Sequence, residues 1–332
     1  MTRRDNWLML VIGAAGVVAP WVLPTVTTQM AFMWLMILFA LTWDINGGQM
    51  GYNSFGNVLF FGLGVYACAL VQRDSGLPYY AALACGIGVG ALVSVGTALI
   101  LGPAILAIRG HYFAIATLGL SIVAADLASA WEYVGAASGM ATPIYPGPIE
   151  QRAMFFYYLL FVLAALTFLT VRRLYAGRLG LAINAIRDDE DKAEAMGLHT
   201  TRYKVFAWSV CALFLGAAGG PVGNFVGFID PRDLAFAGAT FGVWMVLMAV
   251  LGGKGTLWGP VLGAVVFQIT QEVFWTYLLG WQRVAMGLLI VIIVVFFPAG
   301  ILGWTRRARS PDQPPATPTA PAAPQPGLEG NP

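Results

Sequence analysis

The chain has 332 residues, of which 58% are hydrophobic and only 10% are charged. Soluble domains carry about 25% charged residues, so this composition excludes a water-soluble globular fold. The net charge of +2 identifies no class of partner.

Ten apolar segments follow one another along the chain, each close to the roughly 20 residues that a membrane-spanning helix needs. They are residues 7–23, 29–45, 55–71, 80–101, 111–130, 153–174, 203–228, 236–251, 257–279 and 284–302. The segment 236–251 is short enough to be a half-helix, which leaves eight or nine complete crossings as alternatives. The sequence therefore predicts an all-α polytopic membrane protein of about ten transmembrane helices, some of them discontinuous.

The basic residues are distributed unevenly between the two sides of this arrangement. With the N-terminus inside and ten alternating crossings, 14 of the 18 lysines and arginines fall on the inner side, as the positive-inside rule requires. We therefore expect both termini in the cytoplasm. Residues 1–304 form one transmembrane domain in this interpretation, with a cytoplasmic loop at 175–202. Eight of the last 28 residues are proline, so 305–332 is expected to be a disordered cytoplasmic tail.

No arrangement of side chains indicates catalysis, and we expect neither a catalytic residue nor a cofactor. The three cysteines have no His, Cys or carboxylate at metal-ligand spacing, so no metal site is predicted. The chain contains no GxxxxGK[ST] loop, so it does not bind and hydrolyse ATP itself. The sequence favours a transport protein over an enzyme.

Three carboxylates lie inside the predicted spans, at Asp44, Asp126 and Glu272. An ion-coupled transporter needs ionisable groups at the centre of the membrane, usually with a partner. These three lie towards helix ends without an intramembrane Lys or Arg, which favours interfacial or cavity-lining positions. Glycines spaced by four residues predict close helix packing, and Pro221 and Pro260 predict kinked or interrupted helices.

The polar loop between the sixth and seventh spans carries both signs of charge. Residues 182–196 alternate apolar and charged positions in a way that predicts a short amphipathic helix, and Gly197 is placed to end it. Such a helix suits docking of a soluble partner. The residues alone leave equally open a solvated helix that merely closes the loop.

Five motifs in order resemble the branched-chain amino-acid ABC transporter permease family. They lie at residues 51–66 (GYNSFGN, then FFGLGVY), 109–118 (RGHYFAIATL), 185–197 (AIRDDE, then A and MG), 251–264 (LGGKGTLWGPVLGA) and 298–301 (PAGI). The match covers about residues 44–303. Each motif is weak by itself, but five in the family's order are specific. The resemblance implies an importer in the bacterial cytoplasmic (inner) membrane.

The resemblance also implies partners and site residues. The partners are a second, paralogous permease, two ABC ATPases and an extracytoplasmic solute-binding protein. The cytoplasmic loop is similar to the family's E-A-A-x-x-x-G coupling motif, although Lys192 replaces its second Ala. The implied ATPase-coupling residues are Arg187, Asp191, Ala193, Glu194 and Gly197. Candidate pathway or packing residues from the other motifs are Ser54, Asn57, Tyr112, Thr117, Gly253, Gly255 and Gly259.

Departures from the family pattern keep other interpretations open. Asn57 stands where the family usually has His, and residues 135–139 are a loose form of its T-G-G-x-x-G loop. The expected cargo is a branched-chain or related amino acid, with a urea or short-amide permease as the alternative. An ion-coupled secondary transporter and a non-transporting scaffold or receptor are the alternatives from other classes.

Overall fold

The computed structural model describes residues 3–277 and, beyond them, only residues 281, 284, 287, 288, 291 and 300–302. The tenth predicted span, 284–302, is therefore described only at isolated positions. The predicted tail at 305–332 lies outside the described residues. Both stay predictions.

The described part is built almost entirely of helices. Its α-helices are α1 (Arg3–Val22), α2 (Thr27–Asp44), α3 (Asn57–Asp74), α4 (Tyr79–Ile105), α5 (His111–Ala130), α6 (Ile149–Ala176), α7 (Arg178–Asp188), α8 (Glu190–Ala195), α9 (Thr200–Val226), α10 (Val243–Gly252) and α11 (Gly259–Tyr277). Short 3-10 helices lie at Pro24–Val26, Glu132–Val134 and Ala136–Ser138, and π-helical turns at Ile45–Gln49, Pro231–Ala235 and Gly238–Gly242. Two short strands, β1 (Met140–Ala141) and β2 (Phe228–Ile229), pair in antiparallel register.

Six described segments are long and apolar enough to cross a membrane. They are Pro24–Gln49, Tyr79–Ile105, His111–Ala130, Gln151–Ala176, Thr200–Val226 and Pro231–Gly252. Helix α1 adds a shorter apolar helix at Trp7–Val22. The chain is thus an all-α polytopic membrane protein, while the total of ten crossings remains a prediction.

Helices α3, α4 and α9 form the most closely packed group. A Cβ atom at Gly64 would lie 2.0 Å from the carbonyl oxygen of Gly216, and one at Gly219 would lie 2.4 Å from the amide nitrogen of Val65. Backbones this close require glycine, as the four-residue spacing predicts. Pro221 lies inside α9, which continues unbroken to Val226, so of the two predicted effects the helix is not interrupted there, while a kink stays a prediction.

Helix α2 occupies the centre of a second group, with α6, α10 and α11 around it. From Leu35 onward all of its residues are buried, because neighbouring helices cover every face. Helix α1 lies at the periphery against α6, where the Tyr157 hydroxyl donates a 2.7 Å hydrogen bond to the carbonyl of Gly16. Together the two groups form a bundle whose outer helices present apolar side chains to lipid.

Alternation of the helices gathers four polar connections at one end of the bundle, which we call the loop side. These are residues 45–56, 106–110, 177–199 and 253–258, joined by hydrogen bonds such as Arg109–Asp191 and Gln49–Gly255. Residues 75–78, 131–148 and 227–230 lie at the other end, which we call the opposite side. The β1–β2 pair ties two of these segments together there. The direction of successive helices from α2 to α9 therefore alternates between the two ends of the bundle, as the sequence predicts.

Candidate functional site: the loop-side junction

The polar loop folds as two helices rather than the single helix predicted over 182–196. Helix α7 ends at Asp188 and α8 begins at Glu190, with Asp189 between them in an extended conformation. The Asp189 carboxylate accepts a 3.0 Å hydrogen bond from the backbone N–H of Lys192. A short acidic side chain in this position caps a new helix N-terminus, which explains why the first helix stops.

The two loop helices bury one face against the bundle. The buried residues are Ala182, Ile183, Ile186 and Ala193, at the spacing that a helix face requires. Leu181 and Met196 point the other way, with 72% and 86% of their surface exposed. The loop is thus fixed to the membrane helices on one face and exposes these two apolar side chains among charged ones on the other.

The strongest polar link between loop and bundle is the carboxylate of Glu190. It accepts hydrogen bonds from the ammonium group of Lys204, at 2.6 Å, and from the hydroxyl of Tyr52, also at 2.6 Å. Lys204 also donates to the carbonyl of Leu106 at 2.8 Å, and the guanidinium of Arg109 lies 3.5 Å from Glu190. We call Glu190, Lys204, Tyr52 and Arg109 the loop clasp, because it joins α8 to α9 and to the connections before α3 and α5.

The negative charge of Glu190 is compensated within the loop clasp, although its side chain and that of Lys204 are largely buried. Burial by itself raises the pKa of the Glu190 carboxyl, but the hydrogen bonds from Lys204 and Tyr52 and the nearby positive charges outweigh it, so its pKa lies below the usual value. Burial and the bond to Glu190 raise the pKa of the Tyr52 hydroxyl, which therefore stays a donor. A lowered carboxyl pKa means that this link stabilises the fold at neutral pH and is lost on acidification through that pKa.

The predicted coupling residues surround the loop clasp. The Asp191 carboxylate pairs with the Arg109 guanidinium at 2.9 Å, and Glu194 accepts a hydrogen bond from Thr200.

Ala193 is buried, and Gly197 ends α8 with a φ of +88°. Arg187 pairs with its neighbour Asp188 at 2.9 Å and lies over Gly51. Their role in coupling remains a prediction.

A glycine-rich turn at residues 253–258 completes the loop side. Asp44, which is fully buried, accepts hydrogen bonds from the Gly255 amide at 2.7 Å and the Tyr175 hydroxyl at 2.9 Å. Gly253 and Gly255 have φ angles of +121° and +76°, and a Cβ at Gly259 would lie 2.1 Å from the Gly253 carbonyl oxygen. Asp44 therefore fixes a turn at the loop-side end of α2, and its interfacial or cavity-lining position stays a prediction.

The remaining candidate pathway residues lie where α2, α3 and α5 meet, with one exception. Thr117 accepts a hydrogen bond from the Phe55 amide at 3.2 Å, and the Ser54 carbonyl accepts one from Trp43 at 2.8 Å. Asn57 is fully buried, and neither of its amide atoms has a hydrogen-bond partner among the described residues. Tyr112 is instead 77% exposed, on the outer face of α5. A pathway role for these residues stays a prediction.

Sequence reasoning missed the residues that hold this junction together. Tyr52, Lys204, Tyr175 and Gln49 were not singled out, yet each bonds a group far away in the chain. One signal was present: Lys204 lies in the first turns of an apolar helix, where a lysine needs either water or a partner. The identity of that partner could not be read from the sequence.

Comparison with known proteins agrees with this architecture. The family described as "Branched-chain amino acid transport system / permease component" matches residues 26–296. LivM of Salmonella typhimurium, named a high-affinity branched-chain amino acid transport system permease protein, is 26% identical over 92% of this chain and 76% of its own length. LivM of Escherichia coli strain K12 is 25% identical over the same shares.

A second kind of permease protein matches a smaller part. LivH of Escherichia coli strain K12 is 29% identical over 38% of this chain and 40% of its own length. No solved structure gives a significant match. Because the family match covers most of the sequence and the two LivM relatives are covered over three quarters of their length, the chain belongs to the family of permease components of branched-chain amino acid transport systems.

Proposed function

We propose that this chain is one membrane subunit of an ATP-driven importer of branched-chain amino acids. The observation that carries the proposal is the docked loop, whose inner face is fixed by the loop clasp while Leu181 and Met196 remain exposed. A docked knob that exposes two large apolar side chains among charged ones suits a soluble partner. The chain itself catalyses no reaction, and partner subunits hydrolyse the ATP.

The loop clasp gives this proposal a mechanical basis. ATPase subunits that close on each other displace α7 and α8. Because Glu190 is bonded to Lys204 on α9 and to Tyr52 before α3, a displacement of α8 moves both helices. Helices α3, α4 and α9 pack through glycines and move as one body. Such movement opens the path alternately to the two sides of the membrane.

The partners follow from the same interpretation. Relatives named LivM and LivH are both permease proteins of one kind of transport system, which supports pairing of this chain with a second, similar permease. A solute-binding protein delivers the amino acid to the opposite side, which is extracytoplasmic. The loop side faces the cytoplasm of the bacterial inner membrane. Residues 1–304 form the permease domain, and 305–332 form a cytoplasmic tail.

Replacement of Met196 by glutamate tests the docking surface. A charge at this 86% exposed position leaves the fold intact but opposes an apolar contact, so we expect ATP-driven leucine uptake to fall by roughly fivefold or more. Uptake is measured in vesicles that contain the whole transport complex. Met196→Leu, which keeps the apolar surface, and Leu77→Glu, the same kind of change on the opposite side, are expected to retain uptake. Leucine uptake by Met196→Glu at the wild-type rate would show that this surface does not bind a partner.

A urea or short-amide cargo is the second candidate function. The single observation that favours it is Asn57, a buried amide without a described partner at the position where the family usually has His. Competition by unlabelled urea against leucine in the same vesicles separates the two cargoes.

A further inference from the structure

An open cleft runs along α5. It has a volume of about 790 Å³ and lies between α5 and residues 231–243. Its walls are mainly apolar, and the larger lining side chains are Phe55, Ile115, Leu118, Ile122, Phe236 and Val243. The lining part of α5 extends from Ala114 to Asp126, which is about 18 Å at 1.5 Å per residue. The cleft therefore passes through more than half of a bilayer core of about 30 Å.

One acidic and one basic side chain lie at the end of this cleft that is on the opposite side of the bundle. They are the charged residues among those that line it, Asp126 on α5 and Arg232 in the π-helical turn Pro231–Ala235. The guanidinium of Arg232 lies 2.9 Å from the carboxylate of Asp126, and 69% and 60% of these side chains are exposed. Both charges thus remain reachable from outside the bundle.

The backbone around Arg232 is fixed, although its side chain is exposed. The Asp230 carboxylate accepts hydrogen bonds from the amides of Arg232, at 2.8 Å, and Asp233, at 2.7 Å. The preceding residues, Phe228 and Ile229, form strand β2 and pair with β1. Asp126 is held by α5. The two charges are therefore presented at a defined separation by two different elements.

This arrangement matches the chemistry of an aliphatic amino acid. A guanidinium binds a carboxylate through two parallel hydrogen bonds, and a carboxylate binds an ammonium group. An exposed ion pair contributes little to stability, so a zwitterion can replace the Asp126–Arg232 contact at little cost. The apolar walls below then receive the aliphatic side chain, as in ligand sites that combine apolar lining with a few placed polar groups.

We propose that Asp126 and Arg232 form the polar half of an entry site for a zwitterionic amino acid with an aliphatic side chain, and that the apolar cleft along α5 receives that side chain. The inference rests on the proposed function, since it needs the opposite side to be where the amino acid arrives. It adds the residues that the amino acid meets first.

The test compares leucine transported with ATP hydrolysed in vesicles containing the full complex, at saturating leucine and binding protein. Arg232→Gln and Asp126→Asn are each expected to lower leucine moved per ATP at least fivefold. Arg232→Lys keeps the charge and is expected to retain more transport than Arg232→Gln. The matched control is Arg73→Gln, because Arg73 pairs with Asp74 at 2.8 Å on the same side but outside the lining residues. The control is expected to match wild type.

The outcomes separate this inference from the proposed function. If the wild-type complex moves no leucine with ATP, the proposed function fails and the entry site fails with it. If wild type transports leucine and Arg232→Gln and Asp126→Asn transport as much per ATP, only the entry site is overturned. An equal loss of leucine transported per ATP in Arg73→Gln also overturns the entry site, because removal of any charge on the opposite side would then have the same effect. Size-exclusion profiles of the variants confirm that each one folds.

Discussion

Replacement of Gly64 by alanine is expected to prevent α3 and α9 from packing, with a large loss of folded protein. The new Cβ would lie 2.0 Å from the carbonyl oxygen of Gly216, and backbone cannot rotate away as a side chain can. Overpacking of a tight core typically costs about 1–3 kcal/mol, and this contact lies in the centre of the α3–α4–α9 group. We expect the yield of monodisperse protein in mild detergent to fall severalfold and its melting temperature to drop.

The matched control is Gly88→Ala on α4, where a Cβ would meet no atom within 4 Å. Alanine also has the higher helix propensity, so this variant is expected to be as stable as wild type or more so. Equal melting temperatures for Gly64→Ala and Gly88→Ala would contradict the packing described for α3 and α9.

Replacement of Lys204 by methionine is expected to release the polar loop from the bundle. Glu190 would then be a buried carboxylate without its closest cation, and breaking a buried pair from one side costs about 3–5 kcal/mol. We expect faster amide hydrogen exchange in residues 178–199, measured by mass spectrometry on the purified chain. ATP-driven leucine uptake by the complex should fall in parallel, because the loop no longer moves α9.

Two further variants test this explanation. Lys192→Met removes an exposed lysine that pairs with Asp189, and it is expected to leave exchange of the loop unchanged. The double variant Lys204→Met/Glu190→Gln removes both buried charges and is expected to recover part of the protection lost in Lys204→Met. Slow exchange of the loop in Lys204→Met would show that the apolar face alone holds it and that the loop clasp is dispensable.

Local features of the sequence predicted most helices well. The apolar run 111–130 coincides with α5, and the predicted spans at 80–101 and 153–174 lie inside α4 and α6. Length and hydrophobicity are properties of one segment, so they can be read without knowledge of the fold. The break at Asp189 was missed because the amphipathic pattern continues across it, although an acidic residue before Glu190 is an ordinary helix-capping signal.

Features that depend on distant contacts could not be predicted. Glu190 and Tyr52 are separated by 138 residues, and Gly255 and Asp44 by 211. The glycine spacing around Gly219 correctly predicted close packing, but it did not reveal that the partners are backbone atoms of α3. Likewise, Asp126 was noticed as a carboxylate near a helix end, while its pairing with Arg232 depends on how the π-helical turn folds back to α5.

Purification of the whole chain from its native membrane in mild detergent, followed by reconstitution in vesicles, tests the proposed function most directly. We predict that two ATPase subunits and a second permease co-purify with it, and that the reconstituted complex takes up leucine only with ATP and the solute-binding protein. Recovery of the folded chain alone, with amino-acid uptake that needs no ATP, would contradict the proposal and favour an autonomous carrier.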